Sequence, residues 1–213
     1  MGDEPVSVPE PLARHLERAI GVWPPPPGVS VVEAEVRGRP GWDGELHPVW
    51  GLRTAEATAV GVPPGWATGE DPAAFVAGLV EGLFRWSTDP VVDGEAGVWL
   101  PATDSRLPEW LVPFGGDVLV AFDEAGTYAA GVGLKRHDDD VWEIAVGTDE
   151  RHRGKGLARR LVGQAAATVL AAGAVPTYQH DLDNHASAKV ATAAGFPDRG
   201  WRFLTAADSS EDV

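Results

Sequence analysis

The pattern of apolar and polar residues changes about halfway along the chain. In the first half, residues 10–21 place Leu12, Leu16 and Ile20 at helical spacing, and the prolines within 23–28 are expected to end that helix. Weak alternation predicts a strand over 29–36, followed by a loop and one or two strands within 41–65. Residues 71–86 combine an Asp-Pro start with a helical stripe and predict a second helix. The stretch 87–115 has little periodicity.

From residue 117 onward the pattern sharpens into short strands and longer helices. Apolar segments at 117–122, 128–134 and 141–146 are separated by the turn sequences DEAGT and HDDD, which predicts three antiparallel strands. A helix beginning near Gly154 carries a broad apolar face, and Gly173 ends it before a strand at 175–180. A helix over 184–195 and a final strand follow. The pattern predicts an α/β (α+β) fold.

Composition limits the classes of function. The chain has 213 residues, 44% of them hydrophobic, and no cysteine, which excludes disulfides, thiolate metal sites and a cysteine nucleophile. Its formal net charge of -15 argues against nucleic-acid or anionic-membrane binding, both of which require excess Lys and Arg. The acidic, proline-containing start does not look like a signal peptide, and no apolar run is long enough to span a membrane. These features predict a cytoplasmic protein.

One basic segment stands out in this acidic chain. Residues 149–160, DERHRGKGLARR, gather five cationic side chains around Gly154 and Gly156 at the predicted start of a helix. Glycines there leave backbone amides accessible, and the helix dipole makes this end favourable for anions and unfavourable for cations. The segment predicts a cradle for a pyrophosphate. The alternative is a solvated basic face with two turn glycines.

Two segments carry a family resemblance. RHRGKG, residues 151–156, resembles the Arg/Gln-x-x-Gly-x-Gly/Ala loop of the GNAT (Gcn5-related N-acetyltransferase) family, and it lies between a predicted strand and a long helix as that loop does. NHASAKVATAAGF, residues 184–196, resembles the second motif of the family. With their flanking residues they look most like the bacterial zwittermicin-resistance-type branch. The resemblance covers about residues 117–206, and residues 1–116 show none.

The resemblance implies a fold and a cofactor site. The GNAT fold is a mixed, mostly antiparallel sheet flanked by helices, in which strands 141–146 and 175–180 would splay apart. Acetyl-CoA would place its pantetheine against the backbone of Ile144, Ala145 and Val146, with Asn184 and Ser187 nearby. Its pyrophosphate would bind the glycine loop, residues Arg151, His152, Arg153, Gly154, Lys155, Gly156, Leu157 and Ala158. Asn184 is also a preferred helix N-cap, and Gly195 with Phe196 are expected to be a helix stop and a core aromatic.

The same resemblance implies attack of an amine on the acetyl thioester. An alkylammonium must lose a proton before it attacks, so a base or a water chain is needed. Glu143 is the first candidate, although alternation places it on the opposite side of its strand from Ile144. Asp140, His180 and Asp181 are the competitors, and a hydrogen-bonded strand-end role is the alternative for His180. Ala191 stands where many members have the tyrosine that protonates the thiolate, so that step has no assigned residue.

Other polar and aromatic clusters have simpler interpretations. HDDD, residues 137–140, is expected to be a hairpin turn because adjacent residues there point in different directions, and no metal site is predicted. Most of the nine tryptophans lie in residues 1–116. Two or three of these are candidates for an acceptor pocket, among Trp42, Trp50, Trp66, Trp86, Trp99 and Trp110.

Three organisational units and one function follow. We assign residues 1–116 to an N-terminal extension that shapes the acceptor site, 117–207 to an acetyl-CoA-binding core and 208–213 to an acidic tail. The expected function is acetyl transfer from acetyl-CoA to an amine of a small molecule, such as an antibiotic-like or other cationic amine, or of a protein. The alternatives are a non-catalytic acetyl-CoA-binding regulatory module and, more distantly, a nucleotide-binding domain. A homodimer and a longer acyl donor are left open.

Overall fold

The computed structural model describes residues 7–66 and 71–207. Its α-helices are α1 (Glu10–Ile20), α2 (Pro72–Ala77), α3 (Leu157–Ala171) and α4 (His185–Ala193). Its strands are β1 (Gly28–Glu33), β2 (Trp50–Arg53), β3 (Ala57–Val62), β4 (Val80–Trp86), β5 (Val98–Pro101), β6 (Asp117–Phe122), β7 (Tyr128–Arg136), β8 (Val141–Thr148), β9 (Val175–Asp181) and β10 (Arg202–Thr205). Short 3₁₀ helices cover Glu35–Gly38, Glu109–Phe114 and Glu150–His152. The predicted tail, 208–213, lies outside the described residues.

The ten strands form one sheet in the order β1-β3-β2-β10-β4-β9-β8-β7-β6-β5. Neighbouring strands of the described sheet are antiparallel except β1–β3 and β8–β9. This confirms the predicted mixed, mostly antiparallel sheet and the three antiparallel strands β6, β7 and β8. The sheet is continuous between the two halves of the chain, and the division at residue 116 stays a prediction.

The predicted helix over residues 71–86 is wrong in its second part. Only α2 is helical, and the chain from Val80 onward is β4, which lies between β10 and β9 in the middle of the sheet. Five consecutive residues of β4, from Gly82 to Trp86, are buried. A central strand covered on both faces has a continuous apolar pattern, which a short helical stripe also matches.

The first helix is confirmed, but its end has a different cause from the one predicted. Gly21 adopts φ 89°, and its N–H donates to the carbonyl of Glu17, so a left-handed glycine cap ends α1 before the first proline is reached. Leu12, Leu16 and Ile20 are fully buried. They pack with residues of β2, β3 and β4, so α1 covers one face of the sheet.

The opposite face is covered by α3 and α4. Leu161, Val162 and Val169 of α3 form a buried cluster with Ile144 of β8 and Phe196. Side chains alternate along a strand, so Ile144 faces α3 and Glu143 faces the side of α1.

Within the ranges that the structure describes, no helix has the length and apolar character needed to cross a membrane.

Candidate active site

The parallel strands β8 and β9 separate partway along their length. They pair at Val141 with Val175, Trp142 with Pro176 and Glu143 with Thr177, and the register then ends. From Ile144 to Thr148 the edge of β8 that faces β9 has no strand partner within the described sheet. This confirms the predicted splay, and it leaves backbone amides and carbonyls of β8 free to pair with an extended ligand.

Two adjoining cavities lie at this splay. The larger, of about 590 Å³, is bounded by α1, residues 36–47 and strands β8 to β10. The smaller, of about 350 Å³, reaches from Glu143 to the start of α4 at Asn184 and Ser187. Glu143 and Asp181 line both cavities. The location and size of the cavities suit a small organic ligand.

Glu143 lies between the two cavities with its carboxylate fully engaged. It accepts hydrogen bonds from Lys135 Nζ at 2.6 Å, His137 Nε2 at 3.2 Å and Gln179 Nε2 at 2.6 Å. Burial raises the pKa of the carboxyl, but the bond from His137 and the charge of Lys135 outweigh it and lower the pKa to about 2. The group is ionised at neutral pH and has little tendency to take up a proton.

Asp140 lies apart from the other three candidates for the base. Its carboxylate is paired with Arg14 and Arg18 of α1, the latter at 2.5 Å, and neither cavity is lined by it. The hydrogen bond from Arg14 lowers the pKa of this carboxyl. The structure therefore does not bring Asp140 together with Glu143, His180 and Asp181.

His180 and Asp181 both line the smaller cavity, and their side chains have different partners. His180 is 6% exposed, and its Nδ1 lies 2.8 Å from the carbonyl oxygen of Asp181. A carbonyl can only accept, so Nδ1 is the protonated nitrogen and a neutral ring carries its lone pair on Nε2. Nε2 is buried and has no hydrogen-bond partner within the described chain, so only one of the two ring nitrogens is hydrogen-bonded.

The glycine loop has the geometry of an anion cradle. Gly154 and Gly156 both adopt φ 76°, and a Cβ at either would meet nothing within 4 Å, so the backbone is approachable from outside. Gly156 caps α3 without a side-chain bond. Among the described residues, the backbone amides from Gly154 to Arg159 have no hydrogen-bond acceptor. Six free amides at the start of a fifteen-residue helix fit a pyrophosphate.

The basic side chains around this loop fall into two groups. Arg159 pairs with Asp93 at 2.6 Å, and Arg160 donates to the carbonyls of Asp93 and Glu95, so these two hold the 87–97 segment against α3. Arg151 and Arg153 contact acids of their own turn, and Lys155 Nζ lies 3.4 Å from His152 Nδ1. Arg151, Arg153 and Lys155 are exposed and available to a phosphate.

The second motif has the local roles expected of it. The Asn184 side chain accepts from the amide of Ser187 at 3.0 Å, which confirms the N-cap. Gly195 has φ 87° and Phe196 is fully buried, which confirms the helix stop and the core aromatic. Ala191 is fully buried in the core.

Sequence reasoning did not anticipate a pair of hydroxyl groups beside the smaller cavity. Tyr178 of β9 has its hydroxyl 2.8 Å from Ser187 Oγ, and Ser187 lines the smaller cavity. Burial raises the pKa of the Tyr178 hydroxyl. The sequence shows Tyr178 only as an aromatic residue of a predicted strand, because its contact with α4 depends on packing.

Sequence reasoning also did not identify the hydrogen-bond partners of Glu143, although the predicted hairpin could have indicated one of them. The HDDD turn fixes the β7–β8 hairpin so that Lys135 pairs directly with Glu143. His137 and Gln179 had no comparable signal. The HDDD turn itself is confirmed: Asp138 accepts from the amides of Asp140 and Val141 at 2.9 Å.

The described residues contain no group of three or more His, Cys, Asp or Glu side chains that could hold a metal ion.

The tryptophans divide between the cavities and the core. Trp42 and Trp50 line the larger cavity. Trp86 is buried against Trp201, and Trp99 packs on the α3 cluster. Trp110 packs against Phe114, and Trp66 is exposed.

Comparison with known proteins identifies the family. The acetyltransferase (GNAT) family model matches residues 80–196, more than half of the chain. No curated protein matches the sequence significantly. Among solved structures, the chain is similar to a putative GNAT acetyltransferase from Novosphingobium aromaticivorans, with 23% identity, TM-score 0.48, and coverage of 60% of this chain and 63% of that one.

Two further solved structures are similar in the same way. One is a GNAT acetyltransferase from Colwellia psychrerythraea, with 14% identity, TM-score 0.48, and coverage of 76% of this chain and 65% of that one. The other is a GCN5-related N-acetyltransferase-like protein from Streptococcus suis, with 19% identity, TM-score 0.45, and coverage of 60% and 62%. In all three the match spans less than two thirds of the solved chain. The family match, over a segment that holds the splayed strands, the glycine loop and most of α4, shows that this chain belongs to the GNAT acetyltransferase family, whose acetyl donor is acetyl-CoA.

Proposed function

We propose that this protein is an N-acetyltransferase that moves an acetyl group from acetyl-CoA to the amine of a small molecule. The observation that carries the proposal is the continuity of three features: the free amides of the glycine loop, the unpaired edge of β8 and the adjoining cavities at the splay. Acetyl-CoA supplies an acetyl group activated as a thioester.

The residues for holding the cofactor follow from this geometry. The amides from Gly154 to Ala158 and the side chains of Arg151, Arg153 and Lys155 would bind the pyrophosphate, with His152 beside them. The backbone of Ile144, Ala145 and Val146 would bind the pantetheine, and its reactive end would lie near Asn184 and Ser187. The cofactor fits because the amides at the loop and the edge of β8 otherwise lack partners.

For the base, the structure favours His180 over Glu143. A neutral imidazole whose Nδ1–H donates to a carbonyl carries its lone pair on Nε2, and Nε2 of His180 has no competing partner in the described chain. The carboxylate of Glu143 already accepts three hydrogen bonds. We assign Glu143 the role of keeping negative charge beside the attacking amine, and Asp181 that of a second acid at the cavity.

Tyr178 and Ser187 are new candidates for the groups that protonate the CoA thiolate. Ser187 lines the smaller cavity with its hydroxyl bonded to Tyr178, so a proton could pass from Tyr178 through Ser187 without a tyrosine at position 191. The closer assignment to the zwittermicin-resistance-type branch remains a proposal supported by the two motif segments and their flanking residues. The cytoplasmic location likewise stays a prediction.

Two measurements test the proposal. Calorimetry with acetyl-CoA and with ATP should show binding of acetyl-CoA alone, and equal binding of ATP would favour a nucleotide-binding domain. Thiol release with an amine panel then separates an enzyme from a regulatory module. The chain has no cysteine, so a thiol reagent reports only released CoA. Acetyl-CoA binding without thiol release for any amine would overturn the enzymatic assignment.

A further inference from the structure

The larger cavity has an unusual distribution of charge. Four basic side chains and three acidic ones line it: Arg18, Arg37, Arg39, Lys135, Asp138, Glu143 and Asp181. Arg18 pairs with Asp138 at 2.7 Å, and Lys135 pairs with Glu143 at 2.6 Å. Within each pair the two charges neutralise each other. The charges of Arg37, Arg39 and Asp181 remain.

Two of the remaining charges are guanidinium groups on one wall, formed by the segment that follows β1. Neither Arg37 nor Arg39 has a carboxylate within 4 Å in the described part of the chain, although the protein has 32 acidic and only 17 basic residues. Arg37 donates from Nη1 to the carbonyl of His47 at 3.3 Å, while its Nε is buried and has no partner there. A buried charged donor without an acceptor is costly unless a ligand completes it.

The third remaining charge is the carboxylate of Asp181, which lies at the junction of the two cavities. It has no basic partner within the described residues, so its negative charge is not neutralised by the protein there. An ammonium group is therefore favoured at the splay, and an anion is favoured at Arg37 and Arg39. Trp42 and Trp50 supply apolar surface in the same cavity.

From this arrangement we infer that the amine substrate is an amino acid, or a molecule with the same pairing of a free amine and a carboxylate. Its carboxylate binds Arg37 and Arg39, its amine lies beside Asp181 and Glu143, and its side chain contacts Trp42 and Trp50. Arg37 is a specificity-determining residue. A guanidinium presents paired donors that match a carboxylate, and this supports the assignment. The inference rests on the proposed function and deepens it.

The test measures CoA release with the twenty protein amino acids, and then compares each accepted one with its carboxamide and its decarboxylated amine. At least one amino acid should be accepted, with a kcat/KM at least tenfold above that of both matched compounds. Arg37→Met should raise KM for the amino acid by about 10- to 100-fold while leaving KM for the decarboxylated amine within twofold. Arg106→Met, at an exposed arginine that pairs with Asp104, is the matched control.

The outcomes separate the inference from the function on which it rests. Circular dichroism shows that each variant is folded, and calorimetry shows that it binds acetyl-CoA. Arg39→Gln provides a second substitution, at a surface-exposed position. Release of CoA with polyamines or peptides but with no amino acid overturns the inference alone. The inference is also overturned if an amino acid and its decarboxylated amine are used equally well. It is overturned as well if Arg37→Met and Arg39→Gln both keep the wild-type preference for the amino acid over that amine. No CoA release with any amine overturns the proposed function.

Discussion

Lys135 Nζ lies 2.6 Å from Oε1 of Glu143, directly across the β7–β8 hairpin. The side chain of Lys135 is 30% exposed and that of Glu143 is 6% exposed, and both residues line the larger cavity. A buried carboxylate is stabilised here by an ammonium, an imidazole and an amide together. Glu143 therefore contributes to stability as well as to the charge of the site.

The first prediction concerns stability at acid pH. The folded-state pKa of Glu143, about 2, lies below its ordinary value of 4.5, so its stabilisation is present above pH 4.5 and is lost as pH falls towards 2. Urea denaturation should show that the wild type loses more free energy of unfolding between pH 7 and pH 3 than Glu143→Gln does. The expected difference is on the order of 1–3 kcal/mol. Equal losses would contradict the shifted pKa.

The second prediction separates the candidate bases. His180→Gln should keep acetyl-CoA affinity and lower turnover by the roughly 10²- to 10⁴-fold that general-base catalysis contributes. Glu143→Gln should lower turnover by less than about tenfold, since its carboxylate binds protons weakly.

Asp140→Asn and Asp181→Asn complete that comparison at saturating acetyl-CoA. Asp140→Asn should leave turnover near normal, because its side chain pairs with Arg14 and Arg18 and lines neither cavity. Asp181→Asn should act mainly on KM of the amine. A crippled Glu143→Gln beside an active His180→Gln would return the role of base to Glu143.

The third prediction concerns the glycine loop. Gly154→Val and Gly156→Val should lower acetyl-CoA affinity by more than tenfold, because a β-branched residue is strained at φ 76° and projects where the phosphates approach. Gly173→Val is the matched control: it has φ 86° and open surroundings at the far end of α3. All three should lose roughly 1–2 kcal/mol of stability, and Gly173→Val should bind acetyl-CoA normally. Calorimetry with circular dichroism measures both effects.

The fourth prediction concerns salt and the basic side chains of the loop. Acetyl-CoA affinity should weaken as ionic strength rises, since exposed cations are screened over about 8 Å at physiological salt. Lys155→Met should reduce affinity about three- to tenfold at low salt and flatten the salt dependence. Arg159→Met should leave affinity near that of the wild type, because Arg159 is occupied by Asp93. The reverse ranking would move the phosphate site along α3.

The fifth prediction concerns the contact between α1 and the HDDD turn. Asp138 accepts from His15 Nδ1 at 2.9 Å and Arg18 Nη2 at 2.7 Å, which hold the pKa of its carboxyl well below the usual range despite its burial. Asp138→Asn should cost roughly 1–3 kcal/mol in urea denaturation at pH 7. Asp139→Asn, at the exposed neighbouring position, should change stability by less than about 0.5 kcal/mol. Similar losses in both would show that the turn, and not the pairing, sets the stability.

The sequence by itself determined the elements of the second half and the family. Strands β6 to β8, helices α3 and α4, the N-cap at Asn184 and the stop at Gly195 are all present where local signals predict them. These features depend on residues close in the chain, namely side-chain periodicity, glycines at positive φ and capping side chains. The glycine loop belongs to the same group, because its motif and the helix it begins are contiguous.

Only the tertiary structure decided which groups meet. Strand β4 could not be separated from a helix because its partners are distant in the chain: α1 covers one face, and β9 pairs with one edge. Packing between remote segments likewise determines which side of β8 faces the larger cavity and that Gln179 bonds to Glu143. It also leaves Nε of Arg37 without a hydrogen-bond partner among the described residues. Alternation specifies that neighbouring side chains point to opposite faces, but the packing of α1 and α3 determines what each face contacts.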